Sequence, residues 1–285
     1  VQLQPMSASA HLSLANYYWA AGRLPDAEAE FKTAVQLDPK AERALRGLAA
    51  FYVINNKADN AEGALKAYAN ASGSAESRLM LADFYLTNQK NGEAQTLLRN
   101  LASEKDLFTP ATIRLAALSF GTGGKTQAYE FIESVLKAEP KNEEALLLKA
   151  RFLLVDQKPQ DALALANQAL RADPRSVQAQ YYKGVALDGV GSTTEAIQTF
   201  SDLLKQVPSA FSVQVKLASS YLRQRNYAAA AELAGQVPVT AQDRRHDRES
   251  IECRIGRVLV VRNQILLGCA RHGADRRSPR PSSRW

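Results

Sequence analysis

A glycine-rich stretch, F-G-T-G-G-K-T at residues 120–126, has the residue types of a phosphate-binding loop. Such a loop needs the pattern G-x-x-x-x-G-K-[ST], because backbone N–H groups surround the phosphates while the lysine and the hydroxyl reach phosphate and Mg²⁺. Gly124, Lys125 and Thr126 fit the second half of this pattern, but Ser119 stands where the first glycine belongs. The match is partial, so the elements around it decide whether it binds a nucleotide.

Other residues with catalytic or metal-binding chemistry are scattered along the chain. The three histidines are far apart in the sequence, and no H-x-x-x-H or C-x-x-C spacing is present to hold a metal. The acid pair Glu143 and Glu144 begins a predicted helix, where carboxylates are stabilised by the positive end of the helix dipole. We therefore expect no enzyme, no metal, no cofactor and no small-molecule substrate.

Composition indicates a globular chain with a sizeable core. The 285 residues are 46% apolar and 23% charged, which excludes a disordered protein. No apolar run is long enough to cross a bilayer, and the first residues, V-Q-L-Q-P-M-S-A-S, contain neither an initiator methionine nor an apolar signal core. We expect residue 1 to begin a fragment or a processed protein, with any targeting segment upstream.

The organisation of the chain is visible in small residues that recur every 33 or 34 positions. One series is Ala27, Ala61, Ala94, Ala128, Ala162, Ala196 and Ala230. A second series, twelve residues earlier in each copy, is Ala15, Ala49, Ala82, Ala116, Ala150, Gly184 and Ala218. Apolar residues recur at helical spacing around both series. Each copy is therefore predicted to be two amphipathic helices, with the small residues where the helix backbones approach each other.

Proline marks the end of most copies. Pro39, Pro140, Pro174 and Pro208 stop the second helix, because proline cannot continue a helix and disfavours helical backbone in the residue before it. The second and third copies lack this proline. We expect departures from a regular stack at the turns that follow them, around residues 72–74 and 104–106.

A 34-residue, two-helix unit with this pattern resembles the tetratricopeptide repeat, TPR. The first copy, His11 to Pro39, matches nearly the whole family pattern, with Leu14, Ala15, Tyr18, Gly22, Ala27, Phe31, Ala34 and Pro39. The resemblance implies an all-α, right-handed solenoid, or superhelix, of seven stacked repeats of the bacterial type. Because residues 1–238 contain no cysteine, both the bacterial cytoplasm and the periplasm stay open as compartments. After a lead-in, residues 1–7, the repeats are predicted at 8–41, 42–74, 75–108, 109–142, 143–176, 177–210 and 211–238. His11 falls at a helix-packing position and is expected to be a partly exposed structural residue.

This register answers the question posed by residues 120–126. They fall between the two helices of the fourth repeat, at the place where the other repeats also have their turn. A phosphate-binding loop instead follows a buried strand of an α/β sheet. The sequence therefore predicts that these residues form the turn between two helices and bind no nucleotide.

The resemblance also implies a function, because stacked repeats form a concave surface that binds an extended or helical partner. In this family the first helix of each repeat lines that surface, through its second, fifth, ninth, twelfth and thirteenth positions. The candidate groove residues carried over are Leu12, Asn16, Trp19, Arg46, Val53, Leu79, Asp83, Ile113, Phe120, Leu147, Arg151, Tyr181, Val185 and Val215. Their apolar character predicts a peptide or protein partner with apolar side chains. The alternative is that some of them only pack against the next repeat.

Residues 239–285 differ from the rest of the chain. They contain eleven arginines, no lysine and both cysteines, and they account for +6 of the net charge of +7. Apolar spacing predicts a capping helix at residues 249–270 followed by a disordered end. The arginines suit an anionic partner, although nucleic acid is disfavoured by the absence of interleaved aromatics. The abrupt change of composition is equally typical of an out-of-frame end.

Two broader functions stay open from the sequence. The first is a binding adaptor that holds its partner in the groove. The second is a structural subunit of a bacterial cell-envelope or export assembly, in which the outer face and the ends would matter more.

Overall fold

The computed structural model describes residues 6–236, which form fourteen α-helices and no strand. The helices are α1 Ala8–Ala20, α2 Leu24–Leu37, α3 Glu42–Ile54, α4 Ala58–Ser72, α5 Ala75–Thr87, α6 Asn91–Ala102, α7 Phe108–Gly121, α8 Lys125–Ala138, α9 Glu143–Val155, α10 Pro159–Ala172, α11 Val177–Gly189, α12 Thr193–Gln206, α13 Phe211–Arg223 and α14 Tyr227–Gln236. Within this part of the chain, the predicted all-α fold of two-helix repeats is confirmed. The predicted capping helix and disordered end lie outside the described residues.

The chain divides into two compact units, Val1–Val135 and Leu136–Trp285. In the first unit, the fully buried Ala15 and Ala27 mark the close approach of α1 and α2. The buried Phe31 and Phe51 lie beside them, with ring centroids 5.6 Å apart. Small residues at the crossing of the helices therefore leave room for large ones in the adjacent layer of the core.

The second unit repeats this arrangement with different residues. Phe200, Leu203 and Leu217 are buried together where α12 meets α13.

Asn142 and Ser176 cap α9 and α11, because the side chain of each accepts a hydrogen bond from a backbone N–H in the first turn. The side chain just before each of these two helices therefore helps to fix where the helix begins.

Connections between repeats are irregular where the sequence lacks proline. The connection from α2 to α3 has four residues, as has the one from α10 to α11. The one from α4 to α5 has only two residues, because Gly73 ends α4 in the left-handed conformation, φ 60°, and Ser74 caps α5. The connection from α6 to α7 has five residues. These two connections therefore differ in length from the four-residue connections that contain proline.

All seven turns inside the repeats share one backbone geometry. A residue with positive φ stands at the fifteenth position of each repeat: Gly22, Asn56, Gln89, Gly123, Gln157, Gly191 and Arg225. In each turn the next residue donates its N–H to a carbonyl five residues earlier, as in the 2.8 Å bond from Gly124 N to the Ser119 carbonyl. This pattern satisfies carbonyls that the end of a helix leaves free.

The glycine-rich stretch at residues 120–126 is one of these turns. It joins α7 to α8, and the backbone N–H groups of Thr122, Gly123, Gly124 and Lys125 all donate to carbonyls within the turn. A phosphate-binding loop needs such groups free to surround its ligand. The predicted turn between two helices is confirmed.

We expect Gln157→Gly to raise the free energy of unfolding by about 0.5–1 kcal/mol. Gln157 has φ 58°, a conformation that strains a residue with a Cβ and that glycine adopts freely. Denaturant midpoints measure the change. Gln36→Gly is the matched control, because it removes the same exposed side chain from regular helix and should destabilise by about 1 kcal/mol. Equal effects at both sites would contradict the turn argument.

Two ion-pair clusters connect successive repeats in the first unit. Glu28 contacts Lys32 at 2.8 Å and Lys57 of the next repeat, and the Tyr52 hydroxyl donates to its carboxylate at 3.2 Å. One repeat later, Glu62 contacts Lys66 at 2.7 Å and also Lys90. Hydrogen bonds from Lys32 and Lys57 lower the pKa of Glu28 to about 2, and those from Lys66 and Lys90 lower the pKa of Glu62 to about 2.

These lowered pKa values predict an acid-sensitive contribution to stability. Both carboxyls titrate near 4.5 in the absence of these partners, so the stabilisation is fully present above pH 4.5 and is lost as the pH falls towards 2. We expect the double variant Glu28→Gln/Glu62→Gln to be less stable than the parent at pH 7 but nearly as stable at pH 2. Urea unfolding at several pH values measures this. An equally steep acid loss in the double variant would contradict it, and the exposed Glu195→Gln serves as control.

Candidate partner-binding surface

An apolar pocket opens between the C-terminal halves of α3 and α5. Its volume is about 510 Å³. We call it the α3–α5 pocket. It is lined by Ala50, Tyr52, Val53, Ile54, Asn56, Ala58, Leu65, Met80, Asp83, Phe84, Thr87 and Asn88. These residues come from the second and third repeats, the pair joined by the shortened connection at Gly73.

The rim of the α3–α5 pocket exposes aliphatic side chains. Val53 is 44% exposed and Ile54 is 61% exposed, whereas the larger Tyr52 and Phe84 are buried beneath them. Covering exposed aliphatic groups beside a concave apolar wall with an apolar partner is favourable, because it removes apolar surface from water. The pocket can therefore accept an apolar side chain.

Charged residues next to the pocket are held in ion pairs. Arg114 of α7 donates from Nε and Nη2 to the two carboxylate oxygens of Asp83, at 2.6 and 2.9 Å. Arg46 of α3 lies 3.2 Å from Glu76 of α5. Bidentate pairing fixes the orientation of Asp83, so this carboxylate forms a firm polar edge to the pocket.

The structure brings only some of the predicted groove residues together. Val53 and Asp83 line the α3–α5 pocket. Ile113 and Leu147 are buried, with 4% and 1% exposure, and offer no surface to a partner. The remaining predicted residues are distributed along the first helices, with Asn16, Arg46 and Arg151 exposed and Leu12, Trp19, Leu79, Phe120, Tyr181, Val185 and Val215 partly buried.

The predicted aromatic anchors are already engaged in the protein's own packing. The Trp19 ring lies edge-on to Phe31 and Phe51, with centroid separations of 6.0 and 5.5 Å. The Tyr181 ring is tilted against Phe200, with centroids 6.3 Å apart, and burial raises the pKa of the Tyr181 hydroxyl. These rings stabilise the repeats, and only their partly exposed edges are left for a ligand.

Several pocket residues were absent from the sequence prediction. Ile54, Met80, Thr87 and Asn88 all line the pocket. Ile54 and Thr87 occupy thirteenth positions, which belong to the binding surface in the TPR pattern, so the signal existed for these two residues. Met80 and Asn88 depend on the spacing of α3 and α5, for which the sequence offers no rule.

His11, expected to be partly exposed, is buried, and its Nδ1 lies 2.5 Å from a carboxylate oxygen of Glu30.

Among residues 6–236, no group of histidine, cysteine, aspartate and glutamate side chains is arranged to hold a metal ion. None of the helices in that range is both long enough and apolar enough to span a membrane.

The comparisons with known proteins point to one family. A family model described as the tetratricopeptide repeat matches residues 12–77, 120–177, 147–211 and 186–238. No curated protein matches the sequence significantly.

Solved structures with similar folds are also repeat proteins. A tetratricopeptide repeat protein from Parabacteroides merdae has a TM-score of 0.58 at 18% identity, over 80% of this chain and 87% of that chain. PilW, described as a widely conserved type IV pilus biogenesis factor, has a TM-score of 0.54 at 19% identity, over 73% of this chain and 96% of that chain. Yeast Tom70 has a TM-score of 0.65 at 15% identity, over 87% of this chain and 50% of that chain. At these identities the likeness is one of fold.

Proposed function

Because this chain belongs to the tetratricopeptide repeat family, we propose that it is a non-catalytic scaffold whose α3–α5 pocket anchors an apolar side chain of a partner peptide or protein. The family and fold support a role in protein interaction. The apolar pocket supports the finer proposal, because five of its twelve lining residues occupy helix positions that bind partners in this family: Ala50, Val53, Ile54, Asp83 and Thr87.

The size and chemistry of the pocket suit a side chain of a peptide. A volume of about 510 Å³ lies in the range of small-ligand sites and exceeds what one leucine or phenylalanine side chain requires. Burying an aromatic or large aliphatic group there removes apolar surface of both partners from water, at about 25 cal/mol per Å². The paired carboxylate of Asp83 and the polar Asn56, Thr87 and Asn88 line the same pocket and can orient the peptide backbone.

Selection from a displayed random-peptide library against the full chain tests this proposal. We expect enriched peptides to share an apolar anchor, and Val53→Gln to weaken their binding by about tenfold, because a polar group replaces an apolar rim contact. Val177→Gln is the matched control, since Val177 is 42% exposed, close to the 44% of Val53, and lies outside the pocket. Fluorescence polarisation with a labelled peptide measures both variants.

Two outcomes would count against the proposal. Equal loss of affinity in Val53→Gln and Val177→Gln would mean that the pocket is not the binding site. Failure to enrich any peptide, combined with concentration-dependent self-association of the chain, would favour the structural subunit of a larger assembly over the peptide-binding scaffold.

A further inference from the structure

Asp188 breaks the apolar pattern of the predicted groove positions. The twelfth position is apolar in the other six repeats, where it is Trp19, Val53, Leu86, Phe120, Leu154 and Leu222. In the sixth repeat it is Asp188, which is only 8% exposed. One carboxylate oxygen, Oδ1, is buried without any hydrogen-bond partner among the described residues.

Within residues 6–236, the other oxygen of Asp188 has one weak partner, Arg223. Arg223 Nη1 lies 3.2 Å from Oδ2 and donates a shorter bond, 2.9 Å, to the backbone carbonyl of the same residue. The Arg223 side chain is 59% exposed, so most of it lies in solvent. A carboxylate has about four acceptor sites, and here most of them are unused.

Burying such a group costs stability that an apolar residue would not cost. A buried carboxylate with an unsatisfied oxygen carries an uncompensated desolvation penalty, and leucine at this position would follow the pattern of the other repeats. Where a local rule is broken at a cost in stability, a functional reason is expected.

We propose that Asp188 recognises a lysine or arginine side chain of the partner, an inference that rests on the proposed scaffold function. A charged donor suits the site better than a neutral one, because charge-assisted hydrogen bonds are roughly twice as strong. The partner's cation takes the place of the Arg223 guanidinium, whose exposed arm moves aside into solvent.

Residues on the same helix face complete this site. Tyr181 and Val185 lie seven and three residues before Asp188, which places all three on one side of α11. Both are partly buried. Their apolar surfaces can cover the aliphatic stem of a lysine or arginine while its charged end reaches the carboxylate.

Parallel peptide selections on the full-length parent, Asp188→Asn and Asp188→Leu test this assignment. We expect a lysine or arginine at one fixed position of the peptides enriched on the parent, and no basic preference there on either variant. A parent-selected peptide should bind Asp188→Asn about tenfold more weakly. Thermal melting should show Asp188→Leu about 2–4 °C above the parent, so loss of binding would not reflect unfolding.

Arg223→Gln separates recognition from a purely structural ion pair. If Arg223 competes with the partner's cation, its removal should tighten binding of the basic peptide severalfold even though it lowers the melting temperature. Weaker binding to Arg223→Gln, a basic preference that persists on Asp188→Asn, or an apolar motif with no basic residue would each overturn the role of Asp188 while leaving the proposed scaffold function in place. Failure to enrich any peptide, combined with concentration-dependent self-association of the chain, would overturn both.

Discussion

Replacing Phe31 with alanine is expected to lower the free energy of unfolding of the first compact unit by about 3–5 kcal/mol. Phe31 is fully buried, and its ring lies 6.0 Å from that of Trp19 and 5.6 Å from that of Phe51. It also fills the space beside Gly47, where an added Cβ would lie 2.8 Å from the phenylalanine ring. The substitution therefore removes apolar contacts between two repeats and leaves a cavity that helices on both sides must border.

Urea unfolding followed by tryptophan fluorescence measures this change, because Trp19 is in contact with the altered ring. Tyr17→Ala is the control: it also removes an aromatic side chain from this part of the chain, but Tyr17 is 65% exposed, and we expect a change within about 0.5 kcal/mol. Similar losses in the two variants would contradict the assignment of Phe31 to the core.

The repeat pattern could be predicted from sequence because it depends on residues close together in the chain. Small side chains at Ala15 and Ala27 have to face each other within one helical hairpin, and both are fully buried. The expected irregularities at residues 72–74 and 104–106 followed in the same way, from the absence of a proline. Local rules of this kind act on each repeat independently of its neighbours.

The binding surface could be predicted only in part, because exposure depends on the spacing between repeats. The fifth position illustrates this: Arg46 is exposed at this position, whereas Ile113 and Leu147 are buried. All three occupy the same place in the pattern, yet their surroundings come from adjacent repeats. The α3–α5 pocket likewise depends on two repeats, since residues of both α3 and α5 line it. Val53 and Ile54 are exposed at its rim.

Replacing Gly184 of the sixth repeat with alanine is expected to destabilise the protein, although the other repeats have alanine at this position. Six of the seven repeats have alanine where the sixth has Gly184, and alanine favours helix over glycine by about 1 kcal/mol. A Cβ at Gly184 would nevertheless lie 2.5 Å from Cε1 and 2.7 Å from Cζ of Phe200, which is fully buried. We expect Gly184→Ala to lower the free energy of unfolding by about 1–2 kcal/mol, since overpacking outweighs the helical preference.

In the first repeat, an alanine and a phenylalanine occur together at the two positions that hold Gly184 and Phe200 in the sixth. Ala15 and Phe31 occupy the positions of Gly184 and Phe200, but the Phe31 ring extends towards Gly47 of the next repeat. The residue equivalent to Gly47 in the seventh repeat is Lys216, which carries a side chain where Gly47 has none. The Phe200 ring lies over Gly184, so that position has no room for a Cβ.

A double-mutant cycle with Phe200→Leu tests the steric origin of this effect. Leucine with alanine reproduces the pairs Ala49 and Leu65 of the second repeat and Ala82 and Leu98 of the third, which are buried together in their clusters. We expect the double variant to be more stable than the sum of the single changes by about 1–3 kcal/mol, measured by urea unfolding. Strictly additive losses would show that Gly184 is required for a reason other than the Phe200 ring, because the three atoms nearest to the added Cβ all belong to that ring.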